Sequence, residues 1–285
     1  MPDKTFSVKN NVTLAAIQMD VKFGEKDVNI SNSLKMIREA AEKGAKLIVL
    51  PELCNTGYAF STSEEAYSLA ERVPEGKTVK AWIEIAKELK VYICGGIVEL
   101  DDDGIRLFNS SVLIGPDGYI GKYRKLHLWN TEKYFFEPGD MGLPVFNTPM
   151  GRIGMLICYD MWFPEAFRIL ALKGADVVCC PVNWVDSRNE EIRKMGTNMA
   201  IVNANVNNVF VVAADRFGRE RNAYFPGRSI IVDPNGLTCA PVGSHDKEEI
   251  VIAEVDLFSS RRLNWSDTNV KIKDRRTDVY ELYFK

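Results

Sequence analysis

GRIGMLICYDMWFPEAFRILALKGADVVCCPV, residues 151–182, is the stretch on which the fold turns. Its opening, Gly151 to Cys158, is a short and almost unbroken apolar run, as expected of a strand buried on both faces. A sharp exit through Tyr159-Asp160-Met161-Trp162-Phe163 follows. Pro164 then opens a helix running to about Lys173, since its fixed φ suits a first helical position. Asp176 to Pro181 is again short and apolar, so the stretch reads strand, helix, strand, the unit that builds a parallel sheet.

The same alternation extends in both directions. Upstream, Val12 to Met19 and Lys46 to Leu50 read as strands around a helix at Asn29 to Ala45, whose Ile30, Leu34, Ile37, Ala40 and Ala41 recur at helical spacing. A helix at Thr78 to Leu89 leads into the strand Val91 to Val98, and two short strands follow across the turn Gly115-Pro116-Asp117-Gly118. Downstream, the pattern predicts a helix from about Glu190 to Asn205 and a strand at Val209 to Ala214. Ser229 to Val232, the turn Asp233-Pro234-Asn235-Gly236 and Glu249 to Val255 read as hairpin-like. The whole is an α/β domain with mixed sheets covered by helices. No linker or repeat divides it, so residues 1–263 read as one domain. Residues 264–285 form a charged tail ending in VYELYF, whose aromatics are expected to dock on the domain or at an oligomer interface.

Composition narrows the function. With 36 basic against 39 acidic residues and a net charge of −3 in 285 residues, the chain carries no electrostatic footprint for nucleic acid or an anionic membrane. Its apolar runs fall short of the ~20 residues of a membrane span. The opening MPDKTFSVKNN lacks the apolar core of a secretory signal, which predicts a cytoplasmic protein. Six scattered cysteines and two histidines include no CxxC pair, so neither a metal site nor a disulfide scaffold is expected. No P-loop, HExxH or dinucleotide glycine fingerprint is present, and no cofactor is predicted.

Three residues stand out at strand ends. Cys158 sits where a strand-to-helix turn exposes a side chain together with the next backbone N–H, a placement suited to a nucleophile. Alone, a strand cysteine is more often a packed small hydrophobe, and Cys179 and Cys180 in DVVCCPV read as core. Glu52 follows KLIVLP, where a carboxylate must meet solvent or a partner. Lys125 lies in the basic run Lys122 to Lys125, which by itself reads as surface.

Together, LPELCNTGY around Glu52, YRKLHLWNTEKYFFEPGD around Lys125, GRIGMLICYDMWFPEAFR around Cys158 and FPGRSIIVDPNG at residues 225–236 resemble the nitrilase superfamily of carbon-nitrogen hydrolases, in order and spacing, from about Val12 to Tyr280. The resemblance implies a four-layer αββα sandwich, with Cys158 as nucleophile, Glu52 as general base and Lys125 as the charge that stabilises the oxyanion. It implies a second site glutamate at Glu132, with Glu137 as the alternative assignment. It also implies a homodimer or larger even assembly.

The chemistry agrees. Attack on an amide needs a strong nucleophile, stabilisation of the tetrahedral intermediate and a proton for the departing amine, and cysteine, lysine and glutamate supply these. The Tyr159 backbone N–H could complete the oxyanion site. A Cys158–His127 dyad is the competing arrangement, and His245 reads as a solvated turn residue. Superfamily members that act on nitriles generally carry Trp-Glu after the nucleophile, where this chain has Tyr159-Asp160, so a small linear amide is the favoured substrate. Trp162 resembles N-carbamoyl (ureido) branches, which leaves that substrate class open beside nitriles. Asn203-Ala204-Asn205-Val206-Asn207 replaces a charged pattern of some relatives. Tyr58, Trp129, Tyr159, Asn183 and Trp184 are the candidate pocket residues. Acyl transfer to an amine and a catalytically silent binding protein on the same fold are the rival classes.

Overall fold

Strand β1, Asn11–Gln18, shows why the layers stack as they do. Leu14 and Ala16 enter one buried cluster while Ala15 and Ile17 enter another, so an apolar run with a period of two supplies two cores at once. The computed structural model describes residues 9–187, 189–262 and 264–280.

After β1 come helix α1 (Lys26–Glu42), strand β2 (Leu47–Val49), helices α2 (Ser63–Leu69) and α3 (Lys77–Leu89), and strands β3 (Tyr92–Leu100), β4 (Leu107–Gly115) and β5 (Gly118–Arg124). The second half contributes β6 (Val145–Asn147), β7 (Arg152–Met155), α4 (Pro164–Leu172), β8 (Val177–Val182), α5 (Glu190–Arg193), α6 (Met195–Asn207) and β9 (Phe210–Asp215). The chain closes with β10 (Phe217–Glu220), β11 (Ala223–Pro226), β12 (Ile230–Val232), β13 (Glu249–Asp256) and α7 (Thr277–Tyr280).

Two mixed sheets result, one in the order β13-β1-β2-β3-β4-β5 and the other β12-β9-β8-β7-β6. Each is centred on three parallel strands, β1-β2-β3 and β7-β8-β9, with antiparallel strands outside them. Leu14, Leu47, Val49 and Leu113 of the first sheet pack on Met155, Val178 and Val212 of the second. Outside the first sheet, Ile48, Ile93 and Val112 meet Ile37 and Ala40 of α1 and Trp82 and Ile85 of α3. Outside the second, α4 and α6 bury Phe167, Leu170, Ala200 and Ala204. This is the αββα sandwich expected. Because the three parallel strands of each sheet run the same way, their carboxyl ends gather Glu52 and Cys158 at one end of the sandwich.

The structure corrects two expectations. β12 and β13 are not a hairpin: β12 pairs with β9, whereas β13 crosses to the other sheet and pairs with β1 over eight residues. The turn at Asp233 exists, with Asp233 N–H donating to Leu237 O, but buried Gln18 donates to Ser244 O and Lys247 O and draws the chain to β1. The long helix at Glu190 is broken at Lys194 into α5 and α6. The tail touches the domain, Lys271 Nζ donating to Asn205 O, yet Trp265 and Tyr280 remain exposed. Tyr283 and Phe284, and the opening Met1 to Val8, lie outside the described residues. Among the described residues no helix is long and apolar enough to cross a membrane.

Candidate active site

Glu52 leaves β2 through Pro51, and the next residue, Leu53, adopts a left-handed φ of 46°. The turn lies hard against β3: a Cβ on Gly96 would come within 2.5 Å of Leu53 N and 2.6 Å of Glu52 Cα. Only glycine permits that approach. Gly96 N–H donates to Pro51 O at 3.1 Å and Cys54 N–H to Gly96 O at 3.0 Å, which fixes the turn and buries the Glu52 side chain.

Lys125 follows β5 directly and is also fully buried. Its Nζ lies 2.7 Å from Glu52 Oε1 and 2.7 Å from Glu132 Oε1. Glu132 rides on the 3-10 turn Asn130–Tyr134, which Asn130 enters at φ 47°. Tyr58 OH donates to Glu132 Oε1 at 2.7 Å and the Trp129 N–H to Oε2 at 3.1 Å. Asn109 Nδ2 donates to Glu52 Oε1 at 2.7 Å, while Asn183 Nδ2 donates to the Glu52 carbonyl at 2.9 Å. Glu52 Oε2 has no hydrogen-bond partner among the described residues, so it is a free acceptor.

Cys158 begins the 3-10 turn Cys158–Trp162 with φ 44°, a region that costs a non-glycine residue of order 1 kcal/mol or more and is kept only where its surroundings enforce it. Asp160 enforces it. Its Oδ2 accepts from Ile157 N–H at 2.9 Å and Tyr123 OH at 2.8 Å, and its Oδ1 from His127 N–H at 3.0 Å, with His127 Nδ1 at 2.8 Å. From α6, Asn203 Nδ2 donates to Met161 O at 3.0 Å.

The electrostatics divide the groups by role. Burial, joined by the Glu132 charge, pushes the Glu52 carboxyl up to about 7 against the pull of Lys125. Burial would lower Lys125, but the Glu132 and Glu52 charges outweigh it and keep the ammonium protonated. One side of Cys158 faces a cavity, yet the protein packed around the sulfur and the Glu52 charge hold its thiol well above the ordinary range. Lys125 and the Asn183 N–H hydrogen bond oppose that rise. A thiol of this kind is protonated at neutral pH and needs a base; a carboxylate near 7 can take a proton and return it.

The cavity, of about 250 Å³, has Cys158 and Asn183 at its polar end. The rings of Trp129, Tyr159, Trp162 and Trp184 wall it together with Val185, Ile192, Met195 and Arg193. Four of the five pocket candidates, Trp129, Tyr159, Asn183 and Trp184, therefore line it. Tyr58 does not; its hydroxyl is engaged behind the cavity on Glu132. The geometry also separates the two glutamates: Glu132 is buried on Lys125, whereas Glu137 is exposed. His127 is stacked on Phe163, ring centroids 3.6 Å apart, and tied to Asp160, rather than paired with the thiol. His245 is exposed, and its backbone carbonyl accepts a hydrogen bond from Tyr224 OH. Among the described residues no group of three or more potential ligands could hold a metal ion.

The carbon-nitrogen hydrolase family profile matches residues 13–264. The chain belongs to the carbon-nitrogen hydrolase family. It is an enzyme of the nitrilase superfamily. A protein of Pyrococcus abyssi named nitrilase is 43% identical over 94% of this chain and 99% of its own. The tomato N-carbamoylputrescine amidase is 34% identical over 95% of this chain and 94% of its own. The crystal structure of a carbon-nitrogen hydrolase from Helicobacter pylori superposes with a TM-score of 0.87 at 26% identity, covering 96% and 99% of the two chains.

Membership in the carbon-nitrogen hydrolase family leaves several site residues to the structure. Asn109 and Asp160 were not singled out from sequence, although a polar Asn-Ser-Ser run inside apolar β4 was a usable signal for the first. Ile192, Arg193 and Met195 carried no signal, because the wall they form exists only once α5 and the start of α6 come beside Cys158 and Asn183.

Proposed function

We propose that the enzyme hydrolyses the carbon–nitrogen bond of a small linear amide through a thioester on Cys158, releasing ammonia and a carboxylate. The observation that carries this reading is the buried Glu52–Lys125–Glu132 cluster, joined by 2.7 Å contacts, behind a cysteine that opens on the cavity. Glu52 takes the thiol proton as sulfur attacks the carbonyl carbon. Lys125 and the Tyr159 N–H stabilise the oxygen that becomes negative. As the intermediate collapses, Glu52 returns the proton to nitrogen, the C–N bond breaks and ammonia leaves. Water then attacks the thioester, Glu52 takes its proton, and the carboxylate departs as the thiol re-forms. No cofactor enters these steps.

Ureido hydrolysis, releasing ammonia and carbon dioxide, is the second reading, favoured by the tomato relative's name; nitrile hydrolysis is the third, favoured by that of the Pyrococcus relative. Ammonia release from amides, N-carbamoyl compounds and nitriles, with Cys158→Ala as control, separates them. Amide turnover lost in the control supports the proposal; turnover of nitriles alone overturns it.

We further propose a homodimer or larger even assembly. Ile169 and Leu172 of α4 and Val202 and Val206 of α6 form an exposed apolar face, of the kind that marks protein contacts. The six free thiols support a reducing, cytoplasmic location.

A further inference from the structure

The cavity is unusual in what it lacks. Apart from Cys158, Asn183 and Arg193, its wall is aromatic and aliphatic among the described residues. Among the described residues no carboxylate lines it. Among the described residues the one charged lining residue, Arg193, is already neutralised: its guanidinium is paired with Asp186, and Nε also donates to Ser187 O at 2.6 Å. Toward the opening, Ile192 is 56% and Val185 47% exposed, an apolar cluster that gains by being covered.

On the reading that Cys158 attacks an amide here, we propose that the preferred substrate is a primary amide of an uncharged, apolar acid, with a straight or arylalkyl chain, rather than one bearing a second carboxylate or an ammonium. The chain of such a substrate leaves water for contacts with Trp162, Trp184 and Ile192. A distal carboxylate would have to displace Asp186 from Arg193 or settle for the neutral Trp184 indole N–H, and a distal ammonium would meet no anion among the described lining residues, so either charge would be desolvated with little compensation. At ~30 Å³ per water-sized group, a cavity of about 250 Å³ holds roughly eight such groups, enough for an amide with a chain of about five carbons and too few for a macromolecular segment. The charged substrate implied by the tomato relative's name is then a property that this chain does not share.

Three amides of matched length isolate the effect: hexanamide, the monoamide of glutaric acid, and 5-aminopentanamide. The expected kcat/KM for hexanamide exceeds those of both charged amides by at least about thirtyfold. In Ile192→Ala, KM for hexanamide rises about tenfold while kcat stays within threefold, because the residue touches only the distal chain. Binding of the same three amides to Cys158→Ala, followed by tryptophan fluorescence, gives the order without turnover. If no amide is hydrolysed, the proposed reaction fails, and the binding order still decides the specificity. A charged amide that matches or exceeds hexanamide in binding or in kcat/KM overturns the inference.

Discussion

Lys125 Nζ sits 2.7 Å from Glu52 Oε1 with neither side chain reaching solvent. An ammonium and a carboxylate buried together are sensitive to loss of either partner, since the survivor keeps its charge without compensation. Lys125→Gln is therefore expected to lower kcat/KM by a hundredfold or more and to destabilise the fold by about 3 kcal/mol. Steady-state kinetics and denaturant unfolding check both. Activity within tenfold of the parent would remove the oxyanion role.

The pH profile follows from Glu52. With its carboxyl near 7 and the Cys158 thiol well above its usual range, the resting enzyme needs Glu52 ionised. As pH falls through about 7, Glu52 takes up a proton and ceases to be a base. Accordingly kcat/KM drops on the acid side, approaching tenfold per pH unit. A flat profile from pH 5 to 8 would contradict this assignment.

Tyr58 lies behind the chemistry. Its hydroxyl donates to Glu132, and Glu220 Oε1, accepting from Tyr58 N–H at 2.8 Å, anchors its backbone. Tyr58→Phe removes a hydrogen bond to a charged group, worth ~1.5 to 3 kcal/mol. The expected result is a kcat reduced at least about tenfold with KM little changed, because the ring lies outside the cavity. With the Glu132 charge less shielded, the acid limb moves to higher pH. An increase confined to KM would instead make Tyr58 a substrate contact.

Asp160 holds the turn that carries Cys158. Asp160→Asn replaces an acceptor-only carboxylate with an amide that cannot satisfy all its donors, so a loss of about 2 kcal/mol in stability and a lower kcat are expected. His127→Gln, by contrast, should keep activity within about tenfold. Near-complete loss with the fold intact would revive the cysteine–histidine dyad, as measured by kcat beside thermal unfolding.

Much of this architecture was legible because its signals are local. The apolar strands, Pro164 at the start of α4 and the motifs around Glu52, Lys125 and Cys158 are each contained in a few adjacent residues. What was not legible depends on distant pairing. Nothing between Asp233 and Glu249 signals that eight residues of β1 capture β13 more effectively than the three of β12. Tyr58 and Glu132 are 74 residues apart, so an aromatic beside a motif reads as pocket wall until the fold turns it inward. The break at Lys194 falls within one apolar periodicity, and Ile192 and Met195 on either side of it line the cavity with Cys158. That Glu132 and not Glu137 lies against Lys125 likewise depends on the 3-10 turn at Asn130.

The central claim, a thioester on Cys158, is open to direct observation. Enzyme turning over its best amide is quenched in acid and its intact mass recorded, with the modified peptide mapped. The predicted result is a mass gain equal to the acyl group, located on Cys158 and absent from Cys158→Ala. Rapid turnover with no adduct, together with a Cys158→Ala variant retaining more than about a tenth of the rate, would contradict the account.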